Sequence, residues 1–271
     1  MPPRMGRDED GVTVARRTKR TDFSAWAATG MAAGLCGLGV LSLIYRDFAE
    51  VWQPVPKAFP AYAASAMVSG LILLAAGAML AIRRTRPWGA LLATAFIGLW
   101  VIGLHLPHAL ARPLAVGSWQ AVCESLAMAT GGFIAWREAR GGAGRAAAVV
   151  MGVCFVVFGV SHFVYAKFTT AMVPPFLPFR PQLTYLTGAI HVLAGLAVIL
   201  GVRPRWAAIA EATMMSAFVL LVHMPRVAAQ PQERMELTGL FIATTLTSAV
   251  WILAASRAAA KGWRPRSGGV I

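Results

Sequence analysis

The chain has 271 residues, of which 58% are hydrophobic and only 13% charged, against about 25% charged in an ordinary soluble domain. Its formal charge is +14, which on a soluble protein would point to nucleic acid. The placement of the apolar runs and of the charges argues against that partner. It argues equally against soluble-enzyme chemistry, since no phosphate loop, nucleophile elbow or acidic metal cluster occurs.

Taken in order, the chain begins with a polar, basic head, 1–22, that ends in RRTKRTD. The apolar segment after it is too long for a cleaved export signal and predicts a retained signal-anchor helix. Crossing a hydrocarbon core of about 30 Å takes roughly 20 apolar residues. Eight segments meet or approach that length: 23–45, 61–82, 88–105, 117–136, 146–166, 184–202, 206–224 and 237–256. The fourth is the most polar, because it holds Gln120 and Glu124. In lipid only helices or closed barrels satisfy the backbone. The expected fold is therefore all-α, a polytopic membrane protein seated in the bilayer with eight transmembrane helices.

Charge orients these helices. With the N-terminus in the cytoplasm, the inside segments 1–22, 83–87, 137–145, 203–205 and 257–271 carry 18 of the 25 Lys and Arg residues. The outside loops hold the other seven. This is the positive-inside pattern, so the basic excess reads as topology, with both termini cytoplasmic. The cysteines, Cys36, Cys123 and Cys154, all fall inside spans and form no CxxC pair. They read as small apolar packing residues.

The chain also repeats itself. Shifted by 118 positions, and without a gap from 34 to 113, its landmarks coincide. Gly34 falls on Gly152, Cys36 on Cys154, Pro56 and Pro60 on Pro174 and Pro178, Gly70 and Gly77 on Gly188 and Gly195. Trp88 falls on Trp206, and His105, Pro107 and Pro113 on His223, Pro225 and Pro231. Chance does not hold rare residues in one register over that length. The expected layout is a first four-helix repeat at 23–137, a basic glycine-rich linker at 138–145 and a second repeat at 146–256, flanked by the tails 1–22 and 257–271. An even number of helices per copy makes the two repeats parallel. In each, a proline-bearing loop follows the first helix, with Phe59, Phe176 and Phe179 as interfacial anchors. The third helix is expected to stop before Pro107 or Pro225.

Ionisable residues inside spans are rare and costly. Here they are His105, Glu124, His162, His191, Glu211 and His223, and all but Glu211 are expected in the outer third of the membrane. His191 shares the glycine face of its helix, and His162 lies on a small and polar stripe with Gly159 and Tyr165. The candidate pocket consists of His162, His191 and His223, with Tyr165, Glu124 and His105. It can bind a quinone headgroup, a metal or a haem, or relay protons. No HxxxH or ExxH spacing lies on one helix, so no metal is assigned. Each histidine can equally be a neutral core residue bonded to a neighbouring helix. Glu211, in the inner half of its helix, is expected to have a structural role, in reach of Arg203 or Arg205. No catalytic residue is identified.

The segments GVSHF at 159–163, VPPFLP at 173–178, YLTGAIHVLAGLAVIL at 185–200 and VHMPR at 222–226 resemble the DoxX-like family of four-helix membrane proteins. The second repeat carries the resemblance. The first keeps the prolines and glycines but has Ile44 at the His162 position and Leu73 at the His191 position. The resemblance implies a bacterial inner-membrane protein linked to quinone or thiol redox chemistry, with a redox partner subunit. A carrier or channel for a small solute, or a scaffold without a small-molecule site, are the other readings.

Overall fold

The computed structural model describes residues 9–142 and 144–260, with side chains over 25–142 and 144–259. The basic tails expected at 1–22 and 257–271 lie largely outside those residues. Among the described residues every regular element is helical. They are α1 (Glu9–Tyr45), α2 (Tyr62–Ala81), α3 (Arg86–Trp100), α4 (Leu106–Ala111), α5 (Val116–Glu138), α6 (Arg145–Val164), α7 (Ala166–Met172), α8 (Arg180–Leu200), α9 (Pro204–Phe218), α10 (Met224–Ala229), α11 (Arg234–Ala255) and α12 (Arg257–Ala260). Seven stretches among the described residues are long and apolar enough to cross a membrane: Ala25–Tyr45, Tyr62–Ala81, Arg86–Ala111, Arg145–Val164, Arg180–Leu200, Pro204–Ala229 and Arg234–Ala255. The chain is a multi-pass membrane protein.

The fourth expected span falls on the 23-residue helix α5, which is too polar to be one of the seven. Its position explains that. α5 packs against α3, α6 and α11, and its run from Ala127 to Gly132 is buried. A helix that faces protein on most sides needs less apolar surface than one that faces lipid. The long helices form a closed circuit of contacts, within which α5 and α11 also touch one another. α1 packs on α2 and α11, α2 on α3, α6 on α5 and α8, and α8 on α9, which returns to α11. The first helix of each half of the chain therefore rests on the last helix of the other half.

Small residues set the closest approaches. A Cβ added to Gly195 would lie 2.5 Å from the Gly152 carbonyl oxygen, so α6 and α8 touch backbone to backbone. The expected stop before Pro107 and Pro225 is corrected. A π turn, Val101–His105 or Val219–His223, leads into a short further helix with the proline in its first turn. The N–H of Leu106 reaches the Val101 carbonyl, and that of Met224 reaches Val219, five residues back. This inserts the residue that lets the chain pass the missing proline N–H.

At the end of the bundle that carries the loops, hereafter the loop end, residues 46–61 are clasped to α11. Asp47 accepts hydrogen bonds from Lys57 at 2.7 Å, Tyr62 at 2.5 Å and Arg234 at 3.1 Å. Arg234 also donates to the Phe48 carbonyl. Burial alone would raise the Asp47 carboxyl, but the three donors outweigh it and hold it below the usual carboxylate range. Ala61 and Phe179, the residues before α2 and α8, both take a left-handed backbone with φ of 47° and 56°. The opposite, arginine-bearing end holds the short connections at 82–85 and 201–203. There Arg145 donates to the carbonyls of Val198 and Ile199.

Candidate functional site

α8 begins at Arg180, with Pro181 in its first turn, where a fixed φ and an absent N–H suit a helix start. The early start puts His191 midway along the helix rather than in the outer third. Its Nδ1 lies 2.5 Å from Oε1 of Glu211 on α9. The two side chains are 3% and 0% exposed. The expectation that Glu211 reaches Arg203 or Arg205 is corrected: its partner is His191. Arg203 and Arg205 lie at the start of α9, a turn or more away along the helix axis, while the packing of α8 on α9 brings the imidazole directly to the carboxyl.

His162, near the loop-end terminus of α6, stands beside this pair. The ring centroids of His162 and His191 are 4.9 Å apart, tilted at 53°. His162 Nδ1 lies 2.9 Å from the Phe158 carbonyl oxygen. A carbonyl only accepts, so Nδ1 carries the hydrogen and donates it, and the neutral ring has Nε2 as its free acceptor. Two phenylalanines complete the enclosure. Phe218 stacks on His162 at 6.2 Å and tilts against His191 at 6.0 Å, and Phe158 meets His191 edge-on at 5.9 Å. Gly188 makes the approach feasible, since a Cβ there would lie 2.8 Å from the His162 Cβ.

An isolated carboxylate in an apolar interior is strongly disfavoured unless paired or protonated. The Glu211–His191 pair meets that demand in two ways. The proton can sit on the imidazole, giving an ion pair, or on the carboxyl, giving two neutral groups. Both states carry no net charge, and they differ only in the position of one hydrogen along a short bond. Glu211 Oε2 has no hydrogen-bond partner, so the carboxyl keeps an unused polar atom at the centre of the bundle.

The other expected pocket residues lie elsewhere. His223, at the end of its π turn, faces α11, with its Nδ1 3.4 Å from where a Cβ on Gly239 would stand. Tyr165 accepts a hydrogen bond from the Gly117 N–H at 3.0 Å and so ties the end of α6 to α5. Glu124 accepts from Gln120 Nε2 at 2.9 Å on its own helix. His105 belongs to the first half of the chain, 3% exposed, beside the Trp52 backbone and with Nε2 unpartnered. Among the described residues no group of three or more His, Cys, Asp or Glu side chains is disposed to hold a metal ion. The enclosing Phe158 and Phe218 were not legible as site residues, because aromatic side chains in an apolar helix carry no signal that separates them from packing.

The positions 118 residues before His162, His191 and Glu211 hold Ile44, Leu73 and Ala93. Leu73 and Ala93 are buried and Ile44 is exposed, so none of the three positions carries a polar side chain.

A family described as a domain of unknown function (DUF8561) matches residues 151–254, a stretch that contains His162, His191 and Glu211 and runs from α6 into α11. No curated protein and no solved structure matches the chain.

Proposed function

We propose that the chain is a DoxX-like protein of the bacterial inner membrane whose second half holds a proton-handling site for quinone- or thiol-linked redox chemistry. The observation that carries this reading is the buried Glu211–His191 pair with His162 against it. A packing role alone does not call for two imidazoles and a carboxylate in one apolar enclosure, where each polar group is costly. The residues suit a quinol. His162 presents Nε2 as an acceptor for a quinol hydroxyl, and the Glu211–His191 pair can release its one proton toward the headgroup on quinone reduction, passing from neutral to anionic, and take it back on quinol oxidation. A bound quinone supplies two-electron, two-proton chemistry, and a partner subunit would deliver or remove the electrons.

The layout proposed with it is eight spans in two parallel four-helix repeats, with both termini cytoplasmic and the loop end outside. The π turns, the left-handed residues before α2 and α8 and the short helices α4 and α10 all recur 118 positions apart, which supports the repeat. The arginine-rich connections at 82–86 and 203–205 support the orientation.

Membranes containing wild-type protein or His162→Ala/His191→Ala protein, assayed for thiol-dependent reduction of a short-chain benzoquinone, test the function. A loss of at least tenfold, about 1.4 kcal/mol, is expected in the double variant. Equal rates would sink the redox reading. A proton-coupled carrier for a small solute is the second reading, favoured by the mid-helix depth of His191 on α8.

A further inference from the structure

The surroundings of the Glu211–His191 pair differ sharply on its two sides. The buried face of α8 consists of Thr184, Gly188, His191, Ala194, Gly195 and Val198. It is polar from His191 toward the loop end and apolar from His191 toward the arginine-bearing end. On the loop-end side come His162, then Thr187, whose hydroxyl donates to the Leu183 carbonyl at 2.9 Å. Next is Thr184, 1% exposed, whose Oγ1 lies 2.9 Å from that of Thr170 on α7. Arg180 donates to the Thr170 carbonyl at the mouth of this stripe. On the other side α9 offers only Ala208 and Pro204 to the interior, and α6 offers Phe155, Cys154 and Met151. There α6 and α8 are in backbone contact at Gly152 and Gly195. Arg145 closes that end, with its guanidinium on the last carbonyls of α8.

We infer that the Glu211–His191 pair exchanges protons with the loop-end side alone, through His162 and the threonine stripe Thr187–Thr184–Thr170. Hydroxyls and imidazoles can pass a proton by rotating between donor and acceptor roles, and methyl and backbone contacts cannot. The charged groups around the path agree with this. His162 from α6 and Glu211 from α9 meet His191, and Glu236 of α11 is held by Arg226 at 2.5 Å. The fixed cation Arg145 repels a hydrated proton at the sealed end. The inference rests on the pair being a proton site. It adds that the site is a dead-end half-path, which takes protons from and returns them to one compartment and does not conduct them across the membrane.

Two measurements on proteoliposomes test it. In the first, a potassium gradient with valinomycin drives protons across the vesicle wall. Wild-type vesicles are expected to leak no faster than Glu211→Gln vesicles, and a Glu211-dependent leak would overturn the inference. In the second, the infrared carboxyl or carboxylate band of Glu211, isolated by subtracting Glu211→Gln, is followed after a change from H2O to D2O. Thr184→Val is expected to slow its exchange about tenfold, as removal of one hydroxyl link in a relay should, and Val198→Thr on the sealed side to leave it unchanged. Thr187→Val is the second variant in case Thr184→Val does not fold. Wild-type exchange rates in both threonine variants, or an equal change in Val198→Thr, would reject the one-sided path. If benzoquinone reduction survives in the double histidine variant while the exchange asymmetry holds, the redox reading falls and this inference stands.

Discussion

Gly131 of α5 lies against Ala249 of α11 with no room for a methyl group between them, and the two positions are 118 residues apart. In two like repeats turned about a common axis, residues that meet their own counterparts would lie on that axis, so the contact supports the proposed repeat. Gly131→Val should collide with Ala249 and destabilise the protein by about 1–3 kcal/mol, the usual penalty for overpacking. Thermal unfolding in detergent measures it. Gly98→Ala is the control, because nothing lies within 4 Å of a Cβ there, and it should leave the midpoint unchanged or slightly raised.

The buried pair makes a sharper prediction. Glu211→Ala removes a partner from a fully enclosed imidazole and should cost about 3–5 kcal/mol, the range for breaking a buried pair. Glu211→Gln keeps an acceptor for the His191 N–H and should cost less. Replacing both residues by Leu and Met, which removes the polar demand altogether, should recover most of the loss. Unfolding midpoints of the four proteins decide this. A Glu211→Ala protein as stable as wild type would show that the pair contributes nothing to stability.

Asp47 predicts an acid-sensitive clasp. Its carboxyl titrates lower in the folded protein than in the unfolded chain, so its contribution is fully present above the unfolded carboxylate value near pH 3.9. As pH falls through the folded value, protons favour the unfolded state and the contribution is lost. Wild-type protein should therefore lose stability below about pH 4, while Asp47→Asn starts lower at neutral pH and shows a shallower acid limb. Melts at pH 7 and pH 3, read by tryptophan fluorescence, would reveal the difference as a curve that flattens in the variant.

The Tyr165 hydroxyl joins the end of α6 to the first turn of α5. Tyr165→Phe leaves the Gly117 N–H without that acceptor at an exposed site, so the expected cost is about 0.5–1.5 kcal/mol. Benzoquinone reduction should be unaffected, because the Tyr165 hydroxyl is turned to Gly117 and not to the Glu211–His191 pair. A loss of activity at full stability would bring Tyr165 into the site.

Much of this molecule is written plainly in the chain. The apolar runs mark the long helices, and the spacing of His162 and His191 on small-residue faces foretells that the two rings meet. Glu211 was misread because depth was counted from expected helix ends. α8 starts four residues earlier than its apolar run suggests, and the packing of one helix on another is not encoded in either one alone. The π turns were hidden for a related reason. Pro107 and Pro225 announce that the ladder must change, but a stop and a one-residue insertion look alike until the neighbouring helix dictates the direction of the next turn. α5 is more polar than the seven apolar spans because a helix enclosed by protein has no need to be greasy.

The crosswise packing of α1 on α11 and of α6 on α5 has a consequence for the connection between the halves. Each half covers its partner's opening helix, so the two hold one another by surface rather than by covalent continuity. The bond joining Glu138 to Arg145 through a short basic turn is then a tether that sets concentration, not shape. Two separately made fragments, cut within it, should find each other in a bilayer and restore the same circuit of contacts, and each made without the other should present a bare helix face to lipid and be degraded.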